Sequence, residues 1–348
     1  MELVNKATEK EYQEFLERHD RCHFQQSIEW AKIKNNWKND IIIVRDKDNK
    51  IVGSISILTR EIPIFGNFMY APRGPICDIH DKEVLSKLTE GITNLAKKHK
   101  AFTFKFEPDI IVQDEEFKKI MLDLGYVVKN SEGKNFDEEI QPKKVFRLNL
   151  KGKTEEDIFQ GFHSKHRNMV RTAIKRGATI KVGTRDDLKV FQKIMEETGE
   201  RDDFIIRKQD YFEKIYDILG EKHIKLLMAY NEDKAIAGAL IAIYGNKAWY
   251  MYAASSNEGR DLLPNYLLQW ELIKMLLDMK IEIYDFRGIG GAHENEGLYR
   301  FKSRFGGEFI EFIELYKHFS KLKYFLYVKS ERLFKKYRSF LFKIKRKK

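Results

Sequence analysis

The stretch LLMAYNEDKAIAGALIAIYGNKAWYMYAASS, from Leu226 to Ser256, carries the pattern that decides the fold. Apolar runs of strand length alternate in it with turn residues, which predicts a meander of strands. The helical pattern PNYLLQWELIKMLLDMK follows, with Pro264 near its start, and IEIYDFRG then has the alternation of a further strand. Strands, a helix and a returning strand predict one α/β unit.

The same order of elements occurs once before in the chain. Three pairs of segments match in order and spacing: KIVGS (50–54) with AIAGA (235–239), MYAP (69–72) with MYAA (251–254), and FTFKFEP (102–108) with IEIYDFR (281–287). A repeat of roughly 180 residues is far longer than the repeat of a solenoid. It therefore indicates two copies of one α/β domain, each with a mixed, partly antiparallel sheet.

Length and composition are those of a globular protein. With 348 residues and a hydrophobic fraction of 43%, the chain can form two domains with cores of their own. No stretch approaches the ~18 consecutive apolar residues of a membrane span, and the first residues lack an apolar signal core. The expected location is the cytosol, where Cys22 and Cys77, which have no metal or redox spacing, are expected to be buried apolar residues.

Positive charge is concentrated in two parts of the chain. The formal net charge is +11, and the tail from Lys317 to Lys348 holds 13 Lys or Arg against the single acid Glu331, so the rest of the chain is close to balanced. The segment from His163 to Lys181 has six Lys or Arg and no acid. Such segments are typical of proteins whose partners carry phosphate, either nucleic acid or an anionic membrane face.

Both basic parts have helical patterns. The first predicts a helix that starts at Thr154 and stops at Gly177, with Arg167, Arg171 and Lys175 on one face, either for nucleic acid or as a solvated surface. The tail has an apolar side surrounded by cations: Phe319, Leu322, Leu326, Leu333, Tyr337 and Leu341. Three roles are consistent with this tail: binding to a membrane surface, binding to RNA, and an increase in solubility. Its aromatic content favours the membrane.

The candidate reaction site is YDFRGIGGAHENEGLYRFKSRFGGEFIEF, from Tyr284 to Phe312. Gly288, Gly290 and Gly291 let the backbone approach a ligand, and Lys302 supplies positive charge where an anion develops. The alternative is an ordinary solvated lysine. GxSxG, Walker, HExxH and paired CxxC motifs are absent, as is the glycine-rich pyrophosphate loop of coenzyme A enzymes. No metal and no cofactor is therefore expected.

Seven blocks of the sequence resemble the Fem family of non-ribosomal peptidyltransferases. They are FQQSIEWAKIK, YAPRGP, FKFEPD, SKHRNMVRTAIKRG, RDDFIIRKQDYF, YMYAASS and YDFRGIGG with GLYRFKSRFGGEFIEFI. The resemblance covers almost the whole chain. It implies a bacterial aminoacyltransferase that moves Gly, Ala or Ser from aminoacyl-tRNA to the stem peptide of a peptidoglycan precursor, either UDP-MurNAc-pentapeptide or lipid II, to build the interpeptide bridge.

The resemblance also implies an architecture of two tandem acetyltransferase-like (GNAT-like) domains. The first is expected at 1–147 plus 317–348, where it binds the precursor and is completed by the basic C-terminal helix, and the second at 148–316, with the transfer site. Longer relatives insert a coiled-coil arm, but only about ten residues separate Tyr216 from the next strand, at Lys225, which is too few for two arm helices. The tail suggests peripheral contact with the inner membrane face.

Site residues follow from the same blocks. Phe301 and Lys302 match the transfer centre, and Glu107 matches an acidic residue that is either a base or, as we favour, a group that shapes the site. The residues that match the precursor site are Lys32, Arg207, Tyr211 and Tyr252. The residues expected to bind tRNA are Lys165, Arg167, Arg171 and Lys175.

The chemistry agrees with this division of roles. Transfer from an ester to an amine passes through an oxyanion, which a fixed cation such as Lys302 stabilises. A diphosphate requires cations and hydrogen-bonding tyrosines. No residue is an obvious base, so the leaving 3′ oxygen or water is expected to take the proton. Two alternatives are an acyl-CoA-type N-acyltransferase and a non-catalytic RNA- or membrane-binding protein on the same fold.

Overall fold

In the computed structural model of the chain, residues 2–4, 8–129, 140–289 and 297–345 are described. The helices are α1 (Glu9–Arg18), α2 (Ile28–Ile33), α3 (Lys82–His99), α4 (Glu115–Asp123), α5 (Glu155–Gly161), α6 (Ser164–Lys175), α7 (Leu188–Asp202), α8 (Gln209–His223), α9 (Pro264–Asp278), α10 (Gly297–Ser303) and α11 (Lys321–Lys345). The strands are β1 (Glu2–Val4), β2 (Lys38–Arg45), β3 (Ile51–Ile62), β4 (Gly66–Arg73), β5 (Ile76–Cys77), β6 (Ala101–Pro108), β7 (Val127–Lys129), β8 (Lys144–Asn149), β9 (Ala178–Gly183), β10 (Ile224–Asn231), β11 (Lys234–Tyr244), β12 (Lys247–Ser255), β13 (Ile283–Gly288), β14 (Glu308–Glu311) and β15 (Glu314–His318).

The strands form two sheets with corresponding orders. The first runs β1-β2-β3-β4-β6-β15-β7, with β5 paired to β3, and the second, read from its opposite end, runs β9-β10-β11-β12-β13-β8-β14. In each sheet one pair is parallel, β4 with β6 and β12 with β13, and its neighbours are antiparallel. The duplicated α/β domain with mixed, partly antiparallel sheets that the sequence repeat predicts is therefore confirmed.

Each sheet packs against the helix that connects its parallel strands. In α3 the apolar residues recur at helical spacing and are buried, and the side chain of Asp81 accepts hydrogen bonds from the first turn. Gly53 on β3 allows this helix to approach closely, because a Cβ there would lie 2.5 Å from Cγ1 of Val84. In the second sheet, Leu268 and Leu272 of α9 are buried in the same core as Phe286 of β13.

The chain divides into two compact units whose limits differ from the predicted domains. The first comprises Met1–Thr8, Asn35–Asn130 and Ile313–Lys348, and the second Glu9–Lys34 and Ser131–Phe312. The predicted limits were 1–147 plus 317–348 and 148–316. The differences arise because α2 packs against α8, because β8 pairs with β13 and β14, and because β15 pairs with β6 and β7.

Two further expectations concern helices. The single helix predicted between Thr154 and Gly177 is wrong, because the backbone is extended at Phe162 and His163 and separates α5 from α6. In contrast, α8 ends at His223 and β10 begins at Ile224, so this junction has no residues for a coiled-coil arm. Among the described residues, no helix combines the length and the apolar character that a membrane crossing requires.

Candidate functional site

Lys302 lies on the short helix α10 and is buried, with 5% of the residue exposed. Its ammonium donates to the carbonyl oxygen of Gly288 at 2.6 Å and lies 3.5 Å from that of Arg287. Burial lowers the pKa of Lys302 to about 7, while Asp285 opposes the shift and Arg287 adds to it. No ion pair joins Lys302 to a carboxylate among the described residues. A buried ammonium of this kind is suited to receive an anion.

The end of β13 shapes the surroundings of Lys302. Asp285 is 3% exposed and accepts hydrogen bonds from Nε of Arg147 at 2.9 Å and from the backbone N–H of Arg287 at 2.6 Å. Arg287 has a φ of 60°, a left-handed conformation that is uncommon for residues with a side chain. The turn thus presents two successive carbonyl oxygens to one ammonium. Gly290 and Gly291, which the sequence singled out, lie outside the described residues.

Phe301 belongs to an aromatic group beside Lys302. Its ring centroid lies 5.2 Å from that of Phe305 and 5.3 Å from that of Tyr266, and its carbonyl oxygen accepts a hydrogen bond from Nε2 of His166 at 2.9 Å. Burial lowers the pKa of His166 to about 4, so the ring is neutral near pH 7. His166 in the SKHRN block thus fixes the backbone next to Lys302, a role that spacing alone could not predict.

A second group of cations and tyrosines lies in the same unit. The Lys34 ammonium donates to the hydroxyl of Tyr211 at 2.9 Å and lies 4.6 Å from the ring centroid of Trp30. Tyr211 also shares a hydrogen bond with Tyr252, and the Arg207 guanidinium lies 5.1 Å from the Tyr211 ring. Burial lowers the pKa of Lys34 and raises that of Tyr252 to about 12. The group can offer ammonium, guanidinium and hydroxyl donors to one polyanion.

The structure brings together three of the four residues predicted for the precursor site, namely Arg207, Tyr211 and Tyr252. Lys32 lies elsewhere on α2, with 58% of its side chain exposed and its ammonium 3.7 Å from Glu9. The cation that completes the group is Lys34, which the sequence interpretation left aside. The signal was available, since Lys34 stands four residues after Trp30 and therefore shares its face of the helix.

Arg287 is the other residue that the sequence interpretation missed. Its positive charge works to lower the pKa of Lys34, of Tyr211 and of Lys302. Arg287 therefore acts on both groups of residues. Its guanidinium also donates to the side chain of Gln141 at 3.4 Å. The left-handed backbone of a bulky residue within the YDFRG block marks it as a functional candidate.

Glu107 lies in the first unit, in a buried ionic cluster. Its carboxylate is 2.9 Å from the ammonium of Lys105 and accepts a hydrogen bond from Tyr70 at 2.5 Å. Lys105 also pairs with Glu314 at 3.1 Å, and Tyr316 donates to Glu314. Burial opposes the charge of Lys105, but the two carboxylates outweigh it and raise its pKa. Glu107 is 1% exposed and held by these partners, which favours a structural role over that of a base.

The face of α6 predicted for nucleic acid contains two kinds of cation. The Arg167 guanidinium donates to the carbonyl oxygens of Gln160 and Phe162 and so binds the end of α5. The other three, Lys165, Arg171 and Lys175, are exposed. Arg167 is thus engaged within the fold, while its neighbours remain accessible.

The tail helix α11 has one packed side and one open side. Tyr324 and Tyr327 pack on the aromatic residues of the first sheet. The opposite side exposes four large apolar side chains at 46–70% of their area: Leu322, Phe325, Leu326 and Leu333. The side chains of Tyr337 and Leu341, part of the predicted apolar side, lie outside the described ones.

Comparison with known proteins gives consistent matches. The sequence model of the FemAB family matches residues 7–235 and 227–332. A lipid II:glycine glycyltransferase of Staphylococcus epidermidis is 29% identical over 376 aligned positions, covering 88% of this chain and 90% of the relative. A UDP-N-acetylmuramoylpentapeptide-lysine N(6)-alanyltransferase of Weissella viridescens is 28% identical over 301 positions, covering 84% of this chain and 88% of the relative.

Solved structures agree with this result. The crystal structure of FemX superposes with a TM-score of 0.87 at 27% identity, covering 94% of this chain and 99% of that one. A tandem GNAT protein from the clavulanic acid biosynthesis pathway superposes with a TM-score of 0.53 at 11% identity, over 91% of this chain and 98% of that one, and so resembles it in fold. The predicted fold of two tandem acetyltransferase-like domains is confirmed.

Proposed function

The chain belongs to the FemAB family, as its sequence motifs predicted, and from this premise we propose how its residues carry out aminoacyl transfer in peptidoglycan bridge formation. It is an aminoacyltransferase that extends the stem peptide of a peptidoglycan precursor, in keeping with the glycyl and alanyl transferases that it resembles over most of their length. Aminoacyl-tRNA is the proposed donor.

The observation that carries the proposal is the buried ammonium of Lys302, which forms no ion pair with any carboxylate in the part of the chain that the structure describes. The stem-peptide amine attacks the carbonyl carbon of the aminoacyl ester, a C–N bond forms, and the carbonyl oxygen becomes an oxyanion. Lys302 donates a hydrogen bond to this oxygen, and because the ammonium is buried, this interaction is stronger than the same contact in water. The C–O bond to the ribose then breaks, and the proton of the amine passes to the 3′ oxygen or to water. The backbone of Phe301 beside the ammonium is held by the hydrogen bond from His166, and the Phe301 ring packs against Tyr266 and Phe305.

The precursor is held by the cation and tyrosine group. Lys34, Arg207 and Arg287 provide positive charge for a diphosphate, and the hydroxyls of Tyr211 and Tyr252 provide further hydrogen bonds. Both forms of the precursor carry a diphosphate, so this group serves either one. The partial desolvation of Lys34 strengthens its interaction with a phosphate that replaces the surrounding water.

The exposed cations of α6 are the proposed contact for the tRNA backbone. Lys165, Arg171 and Lys175 can neutralise phosphates without reading bases, while Arg167 holds the end of α5 in place. Such a contact gives affinity that falls steeply with salt. Replacing the three exposed residues by Gln should weaken tRNA binding and reduce its dependence on salt concentration.

The proposed setting is the cytoplasm, with peripheral contact between α11 and an anionic membrane face. The apolar side of Leu322, Phe325 and Leu326 fits the acyl boundary, and the surrounding lysines fit anionic headgroups. Co-sedimentation with vesicles containing phosphatidylglycerol tests this contact. Leu326→Glu should reduce the bound fraction, and equal binding to neutral vesicles would contradict it.

The central experiment offers the protein a panel of tRNAs charged with Gly, Ala or Ser, together with UDP-MurNAc-pentapeptide and lipid II. Mass spectrometry of the products identifies the extended stem peptide and the amino acid added. We expect transfer from one of these donors. Absence of transfer from all of them, with binding of acetyl-CoA instead, would favour the N-acyltransferase alternative, and binding of RNA without any transfer would favour the non-catalytic one.

Two neighbouring lysines provide a matched test of the precursor site. Lys34→Ala should raise the KM for the precursor by about tenfold or more, the loss expected for a hydrogen bond to a charged group. Lys32→Ala removes an exposed lysine from the same helix and should change the KM little. The reverse result would assign the phosphate contact to Lys32, as the family motif predicted.

A further inference from the structure

An apolar cavity of about 340 Å³ opens beside the cation and tyrosine group. Arg207 and Tyr252 form one part of its wall and also belong to that group. The rest of the wall is apolar and comprises Ile140, Pro142, Met195, Phe204, Ile205 and Ile206. When the phosphates of a ligand contact Arg207, the chemical group attached to those phosphates therefore lies beside this apolar cavity.

The loop between α7 and α8 forms much of this wall, and it is held in place against α7. Asp203 adopts a left-handed conformation with a φ of 57°, and its N–H and that of Phe204 donate to the carbonyl oxygen of Gly199. A Cβ at position 199 would lie 2.6 Å from Cγ2 of Ile206, so the loop approaches the helix more closely than a larger residue allows. The lack of a side chain at Gly199 thus lets the loop pack against α7, and the hydrogen bonds to its carbonyl oxygen hold the loop there. The apolar residues of the loop remain accessible.

The apolar loop residues are unusually open to solvent. Ile205 is 73% exposed and Phe204 is 46% exposed, although large apolar residues side by side are normally covered. Exposure next to a cavity and a cationic group indicates that a ligand covers them.

We propose that this cavity binds the first isoprene units of a polyprenyl chain, so that the acceptor is the lipid-linked precursor, an inference that rests on the proposed function. In both precursors the diphosphate bears the muramoyl peptide on one side, and on the other it bears either uridine or a polyprenyl group. A cavity adjoining the diphosphate cations is therefore the place where the two acceptors differ.

The lining fits a prenyl chain better than a uridine. Uracil presents two carbonyl oxygens and an N–H, and a site that selects it needs matching donors and acceptors. Among the described lining residues, only Arg207 and Tyr252 have polar side chains, and both already belong to the diphosphate group. The remaining walls offer the dispersion contacts and the burial that a branched hydrocarbon requires.

Binding of small probes tests the cavity without any need for turnover. Isothermal titration of the full-length protein with geranyl diphosphate and with UDP compares a prenyl group and a nucleoside on the same diphosphate. We expect geranyl diphosphate to bind at least about tenfold more tightly, and Ile205→Ser to remove most of this difference, since one apolar contact accounts for changes of that size. Val182→Ser, which alters another exposed β-branched residue of the same unit, should bind as the parent does.

Transfer assays then connect the cavity to the acceptor. The two acceptors are UDP-MurNAc-pentapeptide and a soluble analogue of lipid II with a short prenyl chain, used without vesicles so that α11 plays no part. Ile205→Ser and Phe204→Ser should each lower kcat/KM for the prenyl acceptor by about tenfold and leave the value for the uridine acceptor unchanged.

Three results would overturn the proposal. Tighter binding of UDP would make the cavity a nucleoside site, equal losses with both acceptors would place the stem peptide there, and equal binding of both probes would leave the cavity without a role in selection. If geranyl diphosphate binds as expected and neither acceptor is extended, the proposed transfer activity fails while the prenyl site stands.

Discussion

Lys105 of the first unit and Lys302 of the second are buried to the same extent, with 5% of each residue exposed, but their surroundings are opposite. Lys105 lies between the carboxylates of Glu107 and Glu314, which raise its pKa. Lys302 contacts backbone carbonyl oxygens, and burial lowers its pKa to about 7. Burial alone therefore does not identify a functional lysine. The partner does, because a paired lysine is already neutralised and an unpaired one is available to an incoming anion.

The internal repeat places this difference on equivalent strands. Strands β6 and β13 hold the same place in the two sheet orders, and each sends two aromatic residues into its core, Phe104 and Phe106 in the first and Tyr284 and Phe286 in the second. Charged residues follow these aromatic residues, Lys105 and Glu107 in β6 and Asp285 and Arg287 in β13. The order of charges is reversed between the copies. In the first copy the charges are neutralised within the sheet, whereas in the second Arg287 adds positive charge beside Lys302. The duplicated strand therefore has a structural role in the first unit and contributes to the candidate site in the second.

The largest expected effect comes from Lys302→Met. The single-turnover rate of transfer should fall about 100- to 1000-fold, the usual loss for one donor to an oxyanion. The free energy of unfolding should stay constant or rise, because a desolvated charge is removed. Rapid-quench assays with bound aminoacyl-tRNA and urea denaturation measure the two quantities. A large loss of stability with little change in the transfer rate would contradict this assignment and give Lys302 a structural role like that of Lys105.

Lys105→Met should have the converse effect. It leaves two buried carboxylates without their cation, and removing one partner of a buried ion pair typically costs about 3–5 kcal/mol of unfolding free energy. Urea denaturation measures the loss. The triple variant with Glu107→Gln and Glu314→Gln should recover much of it, because no uncompensated charge remains. Full stability of the single variant would show that the cluster does not depend on its lysine.

Glu107→Gln should be milder than either lysine variant. Lys105 keeps Glu314 as its partner, and Tyr70 can still donate to the amide oxygen. We expect a destabilisation of about 1–3 kcal/mol and a smaller loss of turnover than with Lys302→Met. Near-total loss of turnover with unchanged precursor binding would instead assign Glu107 as the general base.

The pH dependence of transfer sharpens the assignment of Lys302. The acceptor amine must lose a proton to attack, whereas Lys302 must keep one. Burial lowers the pKa of Lys302 to about 7. Above that pH the fraction of neutral acceptor amine still increases, but the fraction of protonated Lys302 decreases by the same factor. We expect kcat/KM to rise up to about pH 7 and then to level off. Lys302→Arg, if active, should continue to rise toward about pH 9, since guanidinium does not titrate there.

The smallest effect concerns His166. Its pKa is lowered by burial to about 4, from an ordinary value of about 6.5. Between these values the unfolded chain binds a proton that the folded chain does not, so stability should fall as the pH drops below about 6.5. Urea denaturation across this range should show that the free energy of unfolding changes less with pH for His166→Gln than for the parent.

Much of the fold could be predicted because its signals are local or repeated. The matching segments around Tyr70 and Tyr252 indicated the duplication, and the two strand orders agree with it. The limits of the units could not be predicted in this way, because the pairing of β8 and of β15 involves strands distant in the sequence. The break between α5 and α6 was missed because the apolar spacing of the segment continues through Phe162.

The candidate site was predicted less completely than the fold. Lys302, Arg207, Tyr211 and Tyr252 occur within motifs, and the structure places the last three together. Lys34 was missed although it follows Trp30 by one helical turn, because α2 has only six residues and ends just before it. Arg287 was missed because a left-handed backbone leaves no mark in a residue that is not glycine. Such conformations are set by tertiary contacts rather than by local preference.

The position of β15 in the first sheet has a consequence for synthesis of the chain. This strand lies between β6 and β7, and it carries Glu314, one of the two counter-ions of Lys105. On the ribosome, β6 and β7 are synthesised long before β15. Until the whole second unit has been made, the first unit therefore lacks the strand between β6 and β7, and Lys105 has only one of its two counter-ions. The unit that begins at the amino terminus is therefore the last to complete its fold.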